Sequence, residues 1–472
     1  MTDADSARLR ELGYEQQLER RLRSFDTFAL GFAGISPVVG LYAVVLVGTA
    51  VAGPGWVWVL PIALAGQCLL LAVYSELASE YPLAGGAYQW SRRLVGPRYG
   101  WFTGWVAICA YAVANTTVAY LGAPWALALV DIEPTANAIV LAGVVLVLVC
   151  ALAGVPGVGL LSRAIKAGIT AEIIASVGVG LALLLVFREH SFSLLTESVE
   201  TEGFLAALAV GGWVFIGFDV AVGAAEETED AARRVPRAIW VALLSVGALV
   251  ILNAVATALA HPNPRGADPD PVTTAVVSSF GSWSDKPFTA VVLVAFVACG
   301  MAAQALTART MFSIARDGVL PGSRLLSAVG GRRSPIGAIA VTAAIACLGL
   351  LLGLNSAAVG TLIAFGTAAI YVSFLLIAAG ALFARLRGSW TPAGRHGLPI
   401  NIAAVAWLAF ETVNIAWPRE SIAPPGAPVY QVWAAPILLA AIAVIGGAYL
   451  LIARPVSRGP RPAPPAPRPA SR

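Results

Sequence analysis

The sequence predicts an all-α integral membrane protein of twelve transmembrane helices, the first and sixth of them broken and running in opposite directions through the bilayer. Three observations carry that prediction. Of 472 residues, 58% are hydrophobic and only 12% charged, more apolar side chain than a water-soluble core of this length can bury. Basic residues gather on alternate connecting segments. Residues that end or restart helices interrupt two of the apolar runs in corresponding places.

Runs of about 20 apolar residues, long enough to cross the hydrocarbon layer, lie at 26–51, 55–78, 99–129, 136–155, 164–187, 203–228, 236–260, 286–314, 335–353, 356–383, 399–417 and 431–453. With these numbered as spans 1 to 12, all but four of the 30 Lys and Arg residues fall on one side; the exceptions are Arg188, Arg265, Lys286 and Arg419. Cytoplasmic segments hold the positive charge, so both termini are expected in the cytoplasm of a bacterial-type cell, with the protein in its plasma membrane. Shifting the register by one span would mix the two populations. Residues 1–24 form a polar cytoplasmic segment with no short apolar core and cleavage site, so span 1 is expected to act as the insertion signal. The five cysteines (Cys68, Cys109, Cys150, Cys299, Cys347) lie in apolar spans as small hydrophobes. They imply no disulfide and no metal site. The formal charge of +4 follows from the sidedness and implies no nucleic-acid partner. The Pro/Arg-rich stretch 454–472 reads as a disordered cytoplasmic tail.

Span 1 breaks at Gly34-Ile35-Ser36-Pro37, where Ser36 suits a helix cap and Pro37 the first turn of a restarted helix. Span 6 breaks at Gly217, with Asp219 just beyond it, within the stretch Gly211 to Ile239. A carboxylate at mid-bilayer costs about 2.5–3.5 kcal/mol on the insertion scale. A broken backbone at that depth is tolerated only where protein or an aqueous cavity satisfies it. Span 1 runs outward and span 6 runs inward, so two interrupted helices take equivalent places in inverted halves, the mark of inverted-repeat transporters. Half-helix N-termini suit a carboxylate and unwound carbonyls an ammonium; a zwitterion fits both poles. Taken singly, each break also reads as a simple kink.

Three segments carry a family resemblance. Glu76-Leu-Ala-Ser-Glu80-Tyr-Pro82-Leu-Ala-Gly85-Gly86-Ala-Tyr88-Gln-Trp90 links spans 2 and 3. Gly217-Phe-Asp219, Glu226-Glu227-Thr228 and Val235-Pro236-Arg237-Ala238-Ile239 join spans 6 and 7. Thr307-Ala308-Arg309 through Ala315-Arg316-Asp317-Gly318-Val-Leu-Pro321 leave span 8. Together they resemble the amino acid, polyamine and organocation permease superfamily, most closely the branch handling amino acids, GABA and choline, over about Phe25 to Ala453. The resemblance implies a core of five plus five inverted helices (25–384), two peripheral helices (385–453), and secondary active transport by alternating access. The sequence has no Gly-rich nucleotide-binding loop, and no cofactor is implied.

The resemblance also assigns candidate site residues. The substrate carboxylate would lie on backbone amides around Gly34, Ile35 and Ser36, and the amine on carbonyls near Phe215 and Ile216, beside Gly217. Trp213 falls at an aromatic gate position; its other reading is a packing tryptophan. Asp219 is an ammonium partner or proton carrier, or else an N-cap for the second half of span 6. Glu172, in span 5 where several members carry a lysine in place of sodium, is a proton-coupling candidate or a structural carboxyl. Span 8 has no Ser or Thr between Val291 and Gln304, so protons are expected as the coupling ion and sodium is not. Glu226 and Glu227 read either as inner-gate residues paired with Arg23, Arg233 or Arg309, or as solvated glutamates. Asn115, Gln304 and Tyr371 line the cavity or tie helices together.

The function expected is a proton-coupled permease for amino acids or related amines. Its rivals are a choline or polyamine carrier, an exchanger without proton coupling, and a transporter-derived membrane sensor. The three histidines, at 190, 261 and 396, lie in predicted loops and suggest no catalytic constellation.

Overall fold

Helix-forming residues run through almost the whole chain, and turns fall where Gly, Pro and charged residues collect. A computed structural model describes residues 3–266, 268–330, 333–354, 357–391, 397–421 and 428–455. Among the described residues there is no β-strand; an isolated bridge joins Leu22 to Thr228. Eleven helical stretches among them are long and apolar enough to cross a membrane. His396 and all but the first two residues of the expected 454–472 tail lie outside the described residues.

Polar α1 (Asp3–Glu11) precedes the apolar stretches. The first of these, Ser24–Glu80, holds α2 (Ser24–Ile35), α3 (Pro37–Ala52) and α4 (Val59–Glu80). Its 57 residues are more than one crossing needs, and a 3₁₀ turn at Gly53–Trp58 separates α3 from α4. Next come α5 (Gly86–Leu94), α6 (Pro97–Leu129), α7 (Ala136–Gly154) and α8 (Val158–Leu185). The sixth predicted span is α9 (Thr201–Gly211), a 3₁₀ turn at Gly212–Phe215, and the four-residue α10 (Val220–Gly223). After it follow α11 (Ala231–Ala260), α12 (Pro271–Phe280), α13 (Asp285–Arg316), α14 (Ser323–Leu326) and α15 (Ile336–Leu350). The chain ends in α16 (Ala357–Leu386), α17 (Gly397–Ala416), α18 (Val429–Val432) and α19 (Ala434–Ile452).

Two local features depart from the expected pattern. The regular helix of span 6 stops at Gly223, and Ala225–Glu227 forms a 3₁₀ turn in place of a longer inner half. Helix α11 starts at Ala231 rather than 236, which puts Pro236 inside it. A proline there cannot donate to the carbonyl four residues back. The Ser79 hydroxyl supplies the missing donor, reaching the Ala232 carbonyl at 2.8 Å.

Burial separates centre from rim. In Thr201–Gly223, 83% of the most apolar window is buried inside the protein, against 11% in Ala434–Ile452, so the broken sixth span is central and α19 peripheral. Behind the second break, Tyr74 meets Trp90, Phe218 and Phe374 edge-on at centroid distances of 5.1, 5.3 and 5.7 Å. Such edge-to-face contacts add about 0.5–1.5 kcal/mol each beyond the area they bury. They pin Phe218, and with it the backbone beside Gly217.

Candidate functional site

The first break is capped from within. Ser36 has φ +50°, a left-handed value that ends α2, and its hydroxyl oxygen accepts from the Val39 amide at 3.2 Å. Pro37 occupies the first turn of α3, where a missing N–H costs nothing. The Ser36 hydroxyl donates to Glu172 Oε1 at 2.5 Å, and the Val38 amide donates to the same oxygen at 3.1 Å. Glu172 reaches this break from α8, is fully buried, and leaves Oε2 without a hydrogen-bond partner.

The second break abuts the first. Gly217 has φ +108°, and a Cβ built there would lie 2.1 Å from the Gly34 carbonyl oxygen. A Cβ on Gly34 would lie 2.3 Å from the Gly217 carbonyl oxygen. Only glycine at both positions allows the two backbones to approach this closely.

Beside that contact is a small cavity of about 50 Å³ between the helices, room for ordered water. Gly34, Ile35, Trp213, Ile216, Gly217 and Asp219 line it, and so do Tyr111, Val118, Cys299 and Ile370. Phe215, Ser36 and Glu172 are not among the lining residues; all three are buried behind it. Among the described lining residues Asp219 is the one that carries a charge. Its Oδ2 accepts from the Tyr111 hydroxyl, its Oδ1 has no partner, and it makes no capping bond to α10. The capping reading of Asp219 therefore fails: Asp219 itself has helical dihedrals, so its side chain does not turn onto the following amides.

Along α13 the wall passes from Cys299, Ala303 and Leu306 at the cavity to Arg309 one turn further on, then to Arg316. Arg309 pairs with Glu227, and Arg316 holds Glu226 through two parallel bonds of 2.8 Å. All four side chains are buried. The solvated reading of these glutamates is overturned, because chain packed over them excludes water. Arg23 and Arg233 are not their partners, and Arg316 was not anticipated. Below the cavity, Asn115 donates to Gln304 at 2.5 Å, and Gln304 donates to the Ile339 carbonyl at 2.9 Å, tying three helices together. Tyr371 accepts from Gln67 at 2.7 Å and donates to the Gly212 carbonyl at 3.3 Å, a brace on the second break.

The N-terminal segment closes this face. The Arg21 and Leu22 amides donate to the Glu227 carbonyl at 2.9 and 2.8 Å, and the Glu229 amide returns to Leu22 at 3.0 Å. The Tyr14 hydroxyl donates to Asp317 at 3.0 Å, and Tyr14 lies 4.1 Å beneath the Arg316 guanidinium. Burial, with Asp317 adding to it, pushes the Tyr14 phenol above its ordinary value, so it remains a neutral donor. Sequence reasoning missed Tyr14, Tyr111 and Arg316, whose partners lie 303, 108 and 90 residues away.

A family model described as amino acid permease matches residues 22–446. Among similar proteins, Amino-acid permease BAT1 of Arabidopsis thaliana is 26% identical over 88% of this chain and 89% of its own length. Cationic amino acid transporter 3, mitochondrial, also of Arabidopsis thaliana, is 28% identical over 78% of this chain and 64% of its own. Thiamine transporter thi9 of Schizosaccharomyces pombe is 24% identical over 81% of this chain and 74% of its own.

Proposed function

The chain belongs to the amino acid permease family and is a membrane transporter rather than an enzyme; from that premise we propose that it is a secondary active carrier for amino acids or related amines, driven by protons and working by alternating access. The observation that carries this reading is Asp219. A buried carboxyl with one oxygen unpartnered, on the wall of a cavity formed where two broken helices touch, is the complement of an ammonium group.

In this reading the 57-residue first stretch makes two crossings, giving twelve spans. Spans 1–5 and 6–10 form the inverted halves, both termini are cytoplasmic, and the membrane is the plasma membrane. The substrate amine pairs with Asp219 near the Ile216 and Phe215 carbonyls, and its carboxylate docks at the first break around Gly34, Ile35 and Ser36. Trp213 closes over the substrate, and the Glu227–Arg309 pair is the inner gate. Asp219 and Glu172 are the proton sites, since each is a buried carboxyl with a free oxygen and no cation paired to it. Sodium has no hydroxyl pair to hold it between Val291 and Gln304.

A second reading, a carrier for organic cations, is favoured by the single anionic lining residue and by relatives named for cationic amino acids and thiamine. Uptake of labelled amino acids, GABA, choline and putrescine into proteoliposomes separates the two. Accumulation of a zwitterion that collapses with a protonophore is the expected result. Accumulation of choline or putrescine alone selects the cation carrier, and flux that needs internal substrate and ignores the gradient makes the protein an exchanger.

A further inference from the structure

The donor groups at the start of α3 are fully spent. Pro37 has no N–H. The Val38 amide goes to Glu172, the Val39 amide to Ser36 Oγ, and the Gly40 amide to the Ser36 carbonyl at 2.9 Å. The Ser36 amide itself is tied back to the Phe32 carbonyl at 2.8 Å, and its hydroxyl proton is given to Glu172. A restarted helix presents its positive end and free amides to an anion, and here one anion-type group already occupies them: the carboxyl of Glu172, fully buried, with Oε1 on two donors and Oε2 on none.

We propose that Glu172 is an internal competitor for the substrate's carboxylate, holding the anion-binding end of the first break until a substrate carboxylate displaces it. This rests on the reading that substrates dock at the break. On displacement the Val38 amide and the Ser36 hydroxyl pass to the incoming carboxylate. Glu172, still in the protein interior and now without donors, takes up one proton from solvent and becomes a neutral acid. The exchange conserves charge: one carboxylate enters the donor set, one leaves it, and one proton binds. Substrate carboxylate and proton therefore enter together, which gives symport a physical cause. An amine that lacks a carboxylate leaves Glu172 in place and carries no proton with it by this route.

Few other charges surround the group. From α13 the titratable neighbour is Cys299. Toward the N-terminal end of α8, Asp26 of α2 is paired with Lys166 at 2.7 Å and hydrogen-bonded to Ser162. The α3, α11 and α12 residues packed against α8 bring no charged side chain to the Ser36–Glu172 contact; Arg233, Arg234 and Arg237 lie at the far end of α11.

The test uses matched ligands, alanine with ethylamine and lysine with cadaverine, binding to the full-length protein in nanodiscs across a pH series. In the wild type, amino acid affinity rises relative to that of the matched amine as pH falls, since protonation of Asp219, the amine's partner, weakens both members of a pair alike. In Glu172→Ala the amino acid binds about ten-fold tighter or more, the gain expected when hydrogen bonds to a competing charged group no longer have to be broken, and the amine is unaffected. Glu172→Gln keeps an acceptor on the Val38 amide and guards against a fold lost in the alanine variant; it makes the pH profiles of each amino acid and its matched amine parallel. Parallel pH profiles for each pair in the wild type, or equal weakening of amino acid and amine by both variants, overturn the competition. Binding of amines alone, with Glu172→Ala still refusing amino acids, also overturns it. A wild type that binds none of the four refutes the transport reading instead, so the two failures are distinguishable.

Discussion

The two breaks meet back to back through Gly34 and Gly217, yet they are finished differently. At the first, every donor at the helix restart is used: Ser36 caps Val39, and Glu172 takes Val38 and the Ser36 hydroxyl on Oε1, with only its Oε2 left over. At the second, Asp219 caps nothing, and its Oδ1 stands unpartnered at the cavity wall. A restart whose donors are all taken holds its backbone, whereas an unpartnered carboxyl oxygen on a cavity wall is held at a cost that a ligand can relieve. The difference separates a restart whose donors are all taken from one whose nearest carboxyl keeps an open oxygen on the cavity.

Four perturbations probe that contrast, from the largest effect to the smallest. Gly217→Ala should cost about 3 kcal/mol or more, because the new Cβ meets backbone, not a movable side chain, at a positive φ; thermal unfolding in detergent and the monodisperse fraction report it. Stability close to wild type would mean the breaks do not touch. Asp219→Asn keeps a carbonyl acceptor for Tyr111 but removes the charge. Apparent amine affinity should fall about ten- to hundred-fold, the worth of one charged hydrogen bond, with little change in melting temperature. Ser36→Ala removes a cap and one of the two Glu172 donors and should lower stability by about 1 kcal/mol. A loss at Ser36 comparable with that of Gly217→Ala would erase the distinction between the contact and the cap.

The smallest effect lies far from both breaks and serves as their control. In the connection before α12, burial acts to raise Asp268, but the Asp270 amide at 2.7 Å, the Thr274 hydroxyl and His261 outweigh it and hold the carboxyl below its ordinary value. A group depressed in the folded state contributes stability above its unfolded pKa and loses it as pH falls through the folded one. Wild-type melting temperature should therefore drop slightly more than that of Asp268→Asn on acidification below the usual carboxylate range, with transport unchanged at neutral pH. Identical acid profiles would show that the pair does nothing.

Local chemistry made some of this legible in the sequence. Ser36 next to Pro37 and Gly217 two residues before Asp219 announce their roles within a few residues, and the basic residues mark alternate connections because each acts alone. What stayed hidden depends on contacts far apart in the chain. Nothing near Asp219 foretells Tyr111, and a search for partners of Glu226 among nearby or similarly placed arginines passes over Arg316. The buried carboxyl Glu411 in α17, with Asn414 at 3.5 Å and Oε1 unpartnered, shows in the sequence only as a carboxyl inside the apolar run 399–417, with no glycine or proline break beside it to draw attention. The second half of span 6 is shorter than its hydropathy suggests: the apolar run continues through Ala224 and Ala225, while the backbone has already turned to bring Glu226 and Glu227 to their arginines.

The segment from Tyr14 to Arg23 also sets an order of events during synthesis. Leu22 cannot form its bridge until Thr228 has been made, and Tyr14 waits for Asp317, 303 residues later. At about 5–20 residues per second, that wait is roughly 15–60 s. Through the last part of it Tyr14 hangs beside a half-built bundle with only the Leu22 bridge to hold its segment, open to any chaperone or protease within reach. Tyr14 is thus made early and placed late, and bulk inserted beside it would compete with the step that closes the bundle.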